Sequence, residues 1–168
     1  MKNHFELFGL EPAFAVDAAA LERGYREIQA RIHPDRFAAS GDAERRASMQ
    51  WTTRVNEAYR ILRSPVQRAK YLLELNGVDV GFETNTQMPT DFLMQQLELR
   101  EALAEAKDAA ALDRLHEGVE REKAALEGRI GELIDARRDM QAAAAEVRKL
   151  MFLHRLGEEI ELAYEDAD

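Results

Sequence analysis

The sequence predicts an all-α protein built in two parts. Ala, Leu, Glu and Arg dominate the 168 residues, whereas Pro occurs only 4 times and Gly 9 times, a mix that suits helices. Apolar residues recur at helical spacing along most of the chain, and no convincing alternating run suggests a strand. Between residues 76 and 90 the pattern lapses into the turn residues Asn76, Gly77, Gly81, Asn85 and Pro89, which divides the chain. The hydrophobic fraction, 46%, is enough for a core on each side of that break.

The elements follow in order. Asp17 is placed to accept from the free amides of a helix over 17–32. Leu21, Tyr25, Ile28 and Ile32 share one face of it, with Arg23 and Arg26 opposite and Arg31 on the flank. Pro34 disfavours helical geometry at His33, which predicts a stop there and a loop over 33–41. Asp42 is expected to cap a second helix over 42–63, with Ala47, Trp51, Val55, Ala58 and Leu62 as its inward stripe. Trp51, Val55 and Tyr59 thus read as core rather than as an aromatic binding strip. Pro65 suits the first position of a short helix through Leu75, which Asn76-Gly77 closes.

Three longer helices are expected over 90–107, 109–137 and 140–165, with Asp108 and Asp139 as caps. The middle one carries Leu112, Leu115, Val119, Leu126, Ile130 and Leu133 as its stripe, interrupted at Glu122 and Lys123. The last carries Leu150, Leu153, Gly157, Ile160 and Tyr164 on a broad face. Short connections favour antiparallel neighbours, hence a C-terminal three-helix bundle. The expected division is 1–76 for the first domain, 77–89 for a linker and 90–168 for the bundle.

Charge and composition exclude several function classes. The net charge is −9, with twelve basic and ten acidic residues through Asn76 and eleven basic against twenty-two acidic beyond it. The asymmetry fits two surfaces with different partners, or an acidic half that maintains solubility. An acidic surface repels nucleic acid, and no basic stripe suits DNA. The absence of cysteine excludes disulfides, thiolate nucleophiles and any Cys-ligated zinc or iron-sulfur site. No apolar run is long enough to span a membrane. No glycine-rich phosphate loop is present, and no cofactor is expected. Met1-Lys2-Asn3-His4-Phe5 is expected to begin the folded domain at once, without a signal peptide, which points to a bacterial cytoplasm.

Two groups of residues stand out. His33-Pro34-Asp35 offers hydrogen-bonding groups on a stiffened corner between two helices, and nearby basic residues would steer an acidic partner towards it. An enzymatic reading, with His33 as general base oriented by Asp35, needs a nucleophile such as Ser40 or Ser48, and no oxyanion hole or nucleophile elbow accompanies them. A metal site from His33, Asp35 and His4 matches no ligand spacing. His116 and His154 read as ordinary helix residues, with His154 a candidate for the core. In the first bundle helix Phe92, Leu99 and Leu103, with Gln96 and Ala106, line the inward side. Leu93, Met94 and Leu97 lie on another side beside Glu98, Glu101 and Glu105, and Phe152 lies off the stripe of its own helix. An exposed apolar cluster of this kind marks an interaction site, unless part of it packs on the first domain. The acidic and Arg residues along 113–138 read as a solvated face.

The strings Phe5-Glu6-Leu7-Phe8-Gly9-Leu10, Tyr25-Arg26-Glu27-Ile28, His33-Pro34-Asp35-Arg36-Phe37 and Val55-Asn56-Glu57-Ala58-Tyr59-Arg60-Ile61-Leu62 together resemble a J domain. With Arg68-Ala69-Lys70-Tyr71-Leu72-Leu73 and the run from Phe92 to Glu101, nearly the whole chain resembles the HscB family of J-type co-chaperones of iron-sulfur cluster assembly. Ile32 stands where many J domains place Tyr, and Arg36 where many place Lys. The Gly/Phe-rich linker and cysteine zinc motifs of general J proteins are missing, which favours the specialised family.

The resemblance implies a non-enzymatic co-chaperone without catalytic or metal-binding residues. It implies that His33, Pro34 and Asp35, with Arg23, Arg26, Arg31 and Arg36, engage an HscA/DnaK-type chaperone and stimulate its ATPase. It also implies that Leu93, Met94, Leu97, Glu98, Glu101, Glu105 and Phe152 bind an IscU-type scaffold. The competing class is a helical adaptor that uses the acidic bundle without ATPase coupling.

Overall fold

The computed structural model describes residues 2–81 and 88–167. The chain divides into two compact units, Met1–Leu72 and Leu73–Asp168. Part of the expected linker, including Asn85, lies outside the described residues.

The first unit is built on a helical hairpin. Helix α1 (His4–Leu7) is capped by Asn3, whose side chain accepts from the Glu6 amide at 2.9 Å. Helix α2 (Ala18–Ile32) starts at Asp17, which accepts from Ala19 and Ala20 as expected. A single 3-10 turn over Pro34–Phe37 leads to α3 (Asp42–Arg63). Asp42 does not cap α3: Gly41 holds the cap position, and Asp42 lies inside the first turn, where its carboxylate pairs with Arg45. Helix α4 (Pro65–Leu75) begins at Pro65 and closes at Gly77, which adopts φ +74, a left-handed value that glycine takes without strain.

The hairpin is antiparallel, and its seam holds an aromatic stack. Tyr25 and Tyr59 stack with ring centroids 4.1 Å apart and planes nearly parallel, and Tyr25 Oη donates to Asn56 Oδ1 at 2.7 Å. Phe8 meets Tyr25 edge-on at 6.5 Å. Gly24 permits that approach, since a Cβ there would sit 3.3 Å from Phe8. Phe5, Leu21, Val55, Ala58, Leu62, Ala69 and Leu72 complete the core. Arg68 ties the segment after α1 to the end of α3 by donating to the carbonyls of Phe14 and Leu62, each at 2.7 Å.

The second unit contains α5 (Thr90–Glu105), α6 (Ala109–Gly131) and α7 (Met140–Ala167). Asp108 caps α6, and the Asp139 carboxylate accepts from Ala142 at the start of α7. Between them, Glu132–Ala136 winds as a π-helix continuous with α6. The wider winding fits more residues into each turn. It brings Ile134 rather than the expected Leu133 onto the buried stripe, and Leu133 is half-buried. Arg138 then takes φ 55, and the Asp139 amide closes the turn on the Leu133 carbonyl at 2.9 Å.

Helices α6 and α7 form the stable pair. Leu112, Val119, Leu126, Ile130, Val147, Leu150, Leu153, Leu156 and Ile160 are buried along them, and Tyr164 Oη donates to Asp113. That bond, with burial and the surrounding carboxylates, pushes the Tyr164 phenol up to about 12. Helix α5 adds less: Phe92 and Gln96 are buried, and Leu99 and Leu103 pack partly against Leu115, Val119, Leu156 and Ile160. A fully buried aliphatic or aromatic side chain contributes about 1.5–3 kcal/mol. By that measure α5 is held much more weakly than α6 and α7 hold each other.

Candidate functional site

The corner at His33 is held by its backbone and leaves its side chains outward. A helix end leaves four carbonyls without intrahelical partners. Here Ser48, buried on α3, donates its hydroxyl to the Ile32 carbonyl, and Arg36 donates to the Ala30 carbonyl at 3.1 Å. His33 breaks the helix with ψ 133 and becomes the cap of the next turn: its Nδ1 accepts from the Asp35 amide at 3.2 Å. In the neutral ring this leaves Nε2–H as a donor. The Asp35 carboxylate approaches the same Nδ1 at 3.6 Å, an ion pair only if the ring is protonated. The His33 side chain is 48% exposed and that of Asp35 93%. Both are therefore open to a visitor.

Arg23, Arg26, Arg31 and Arg36 are all exposed. Arg26 is bound by Glu22 one turn earlier at 2.8 Å, and that hydrogen bond holds its guanidinium above the ordinary arginine range. Glu22 thus screens one of the four charges. Glu27 and Asp35 are also exposed there, so the four arginines leave the face around the corner weakly positive.

The second candidate surface lies on the bundle. Leu93, Met94 and Leu97 are 42%, 56% and 61% exposed, a contiguous apolar strip on one side of α5. Glu98, Glu101 and Glu105 are exposed on the same helix. Phe152, on α7, is half-buried and meets Phe92 edge-on at 6.3 Å. Apolar side chains so exposed gain from a partner that covers them, and the flanking carboxylates favour a basic rim on that partner.

A family description, the HSCB C-terminal oligomerisation domain, matches residues 88–161. The co-chaperone protein HscB homolog of Burkholderia multivorans is 53% identical over 161 residues, which cover 94% of this chain and 91% of the relative. Among solved structures, chaperone HscB from Vibrio cholerae matches with a TM-score of 0.86 at 33% identity, over 99% of this chain and 100% of that one. Human co-chaperone HscB matches with a TM-score of 0.93 at 29% identity, over 98% and 83%. The chain belongs to the HscB family of J-domain co-chaperones of iron-sulfur cluster assembly. Its first unit is the J domain of that family, and its second is the C-terminal helical domain.

Several residues of this HscB-family chain sit elsewhere than the sequence suggests. Trp51 is 45% exposed rather than core, and Ala47 is exposed beside it. Helix α1 is only four residues long and its cover runs out near Arg54, which donates to the Lys2 carbonyl. Trp51 lies one turn beyond, where its ring meets the Arg54 guanidinium at 5.3 Å. His154 does not face the core: it is half-exposed, with Nε2 3.5 Å from Glu158 Oε1. His4 stacks on Tyr71 at 4.3 Å, and among the described residues no group of three or more metal-ligating side chains converges. Ser48 is not placed as a nucleophile, because its buried hydroxyl is spent on the Ile32 carbonyl. Ser48 instead fixes the corner, and its signal in the sequence is a lone Ser on an otherwise apolar stripe with Val55 and Leu62.

Proposed function

We propose that the protein is a non-enzymatic co-chaperone with two working surfaces, acting in a bacterial cytoplasm. His33, Pro34 and Asp35, with Arg23, Arg26, Arg31 and Arg36, engage an HscA/DnaK-type chaperone and stimulate its ATP hydrolysis. Leu93, Met94, Leu97, Glu98, Glu101, Glu105 and Phe152 bind an IscU-type scaffold, on which the cluster is cargo. Holding both partners on one chain raises the local concentration of client beside chaperone.

The observation that carries this reading is the corner itself. Its backbone is pinned by Ser48, Arg36 and His33 while the His33 and Asp35 side chains remain exposed. A fixed loop with outward polar groups loses little conformational entropy on docking. The positive face of α2 suits an acidic ATPase surface and speeds encounter. The naming of its relatives as co-chaperones supports the same conclusion.

The test is the hydrolysis rate of the chaperone with wild type and with His33→Gln. Wild type should raise the rate, and His33→Gln should return it to the basal value while helicity by circular dichroism is unchanged. If wild type leaves the rate unaltered, the adaptor reading replaces this one.

A further inference from the structure

Helix α5 carries the proposed scaffold-binding strip, and few contacts hold it: Leu99 and Leu103 pack partly on α6 and α7, and Gln95 donates to Glu122 of α6. Both polar atoms of Gln96, which is 6% exposed, lie buried without a hydrogen-bond partner on its inward face. Open clefts of about 230 and 430 Å³ flank it, lined by Phe92, Gln95 and Lys149 in the first and by Leu99 in the second, with Glu122 of α6 in both. A seam flanked by open clefts and holding an unsatisfied buried amide does not specify one register as a close-packed seam does.

Towards α7 the arrangement is different. Phe92 meets Phe152 edge-on at 6.3 Å, and Arg100 Nη1 lies 2.6 Å from Glu159 Oε2. The two contacts are eight residues apart on α5 and seven on α7, about 12 and 10 Å along parallel helices. Their spacings therefore match. One contact would allow α5 to rotate or slide about it. Two at matched spacing fix both motions.

We infer that Phe92 and Arg100 are positioning residues that set the register of α5 on α7 and so align Phe152 with Leu93, Met94 and Leu97. The inference rests on the proposed scaffold-binding reading of that strip. Phe92 is buried and Arg100 is paired within the chain, so both act through the alignment they impose.

The experiment measures binding of purified IscU-type scaffold by calorimetry, together with hydrogen exchange of the free protein. Arg100→Ala should weaken binding about threefold, the scale of one ion pair. Phe92→Leu, which keeps most of the buried volume, should weaken it about fivefold through loss of the aromatic pair. Both should speed exchange of α5 amides while α6 and α7 amides hold. Arg100→Lys should bind within twofold of wild type, and the charge swap Arg100→Glu/Glu159→Arg should recover the affinity lost in Arg100→Ala.

A swap that stays weak means Arg100 touches the scaffold directly and overturns the positioning role. Unchanged α5 exchange in both single variants also overturns it, whatever the affinities. If wild type itself does not bind scaffold, the underlying reading fails, and the exchange result still decides whether the two contacts fix α5.

Discussion

The two candidate surfaces are made by opposite devices. At the His33 corner the proposed recognition groups are polar and are held from behind: a buried serine hydroxyl and an exposed arginine satisfy carbonyls that the end of α2 leaves open. On α5 the proposed anchors are apolar, beside a row of carboxylates, and they are exposed because the inward stripe of that helix uses other residues. A polar corner must be held in place, since its groups gain little until a partner's geometry matches them. An apolar strip carries its binding energy in the area it removes from water, with less demand on direction. The corner should therefore fail when its buried support is removed, and the strip when its own side chains are truncated.

The largest expected effect is on the strip. The combined variant Leu93→Ala/Leu97→Ala/Phe152→Ala should weaken scaffold binding about 100-fold or more, because each truncated apolar anchor at an interface centre costs on the order of 1–2 kcal/mol. Calorimetric titration reads the loss. Stimulation of the chaperone ATPase without scaffold should be unchanged. Undiminished scaffold binding would reject this strip as the site.

A smaller effect should break the corner from within. Ser48→Ala removes the donor from the part-buried Ile32 carbonyl, at a cost of about 1–2 kcal/mol. The single Trp lies in the J domain, so Trp51 fluorescence follows the melting of that unit alone. Its midpoint should fall by about 5 °C or more. ATPase stimulation at a temperature where the variant is folded should also fall, since the loop loses its anchor. A variant that melts earlier but stimulates fully would mean that Ser48 stabilises the hairpin without shaping the corner.

These devices differ in how far the sequence reveals them. Helical period and caps exposed the frame: Asp17, Asp108, Asp139, Pro65 and Gly77 act where local chemistry places them. Such features depend on residues a few positions apart. The exposed strip was also legible, because Leu93, Met94 and Leu97 fall outside the stripe of Phe92, Leu99 and Leu103 on one helical wheel. What escaped depends on distant partners or on a competition between near neighbours that pattern alone does not decide. Trp51 falls near the inward stripe by angle, and its exposure follows from how short α1 is. Ile134 displaces Leu133 because the backbone winding changes at Glu132. Asp42 has the chemistry of a cap, but Arg45 claims its carboxylate and Gly41 takes the position. Ser48 looks like any helix serine until the end of α2 is brought beside it.

The smallest effect contrasts two histidines of the J domain. His33 uses Nδ1 to hold an amide and keeps its ring in solvent. His4 lies flat on Tyr71 at 4.3 Å, and its Nδ1 is buried without a hydrogen-bond partner. Burial pushes the His4 imidazole below its ordinary 6.5; Glu57 opposes the shift and Arg54 adds to it. The folded state thus favours the neutral ring. On acidification the unfolded chain takes up this proton first, so stability that is fully present above pH 6.5 is lost as the pH falls below it, towards the lower folded value. His4→Phe keeps a ring against Tyr71 and removes the titration. The difference in Trp51-monitored melting midpoint between wild type and variant should be constant above about pH 7 and shift in the variant's favour as the pH falls from there to 5. Every other ionisable group is common to the two proteins and cancels in the difference. A difference that stays flat, or that moves towards wild type, would show that the His4 ring is solvated enough to charge freely in the folded state, and the contrast with His33 would then lie in stacking alone.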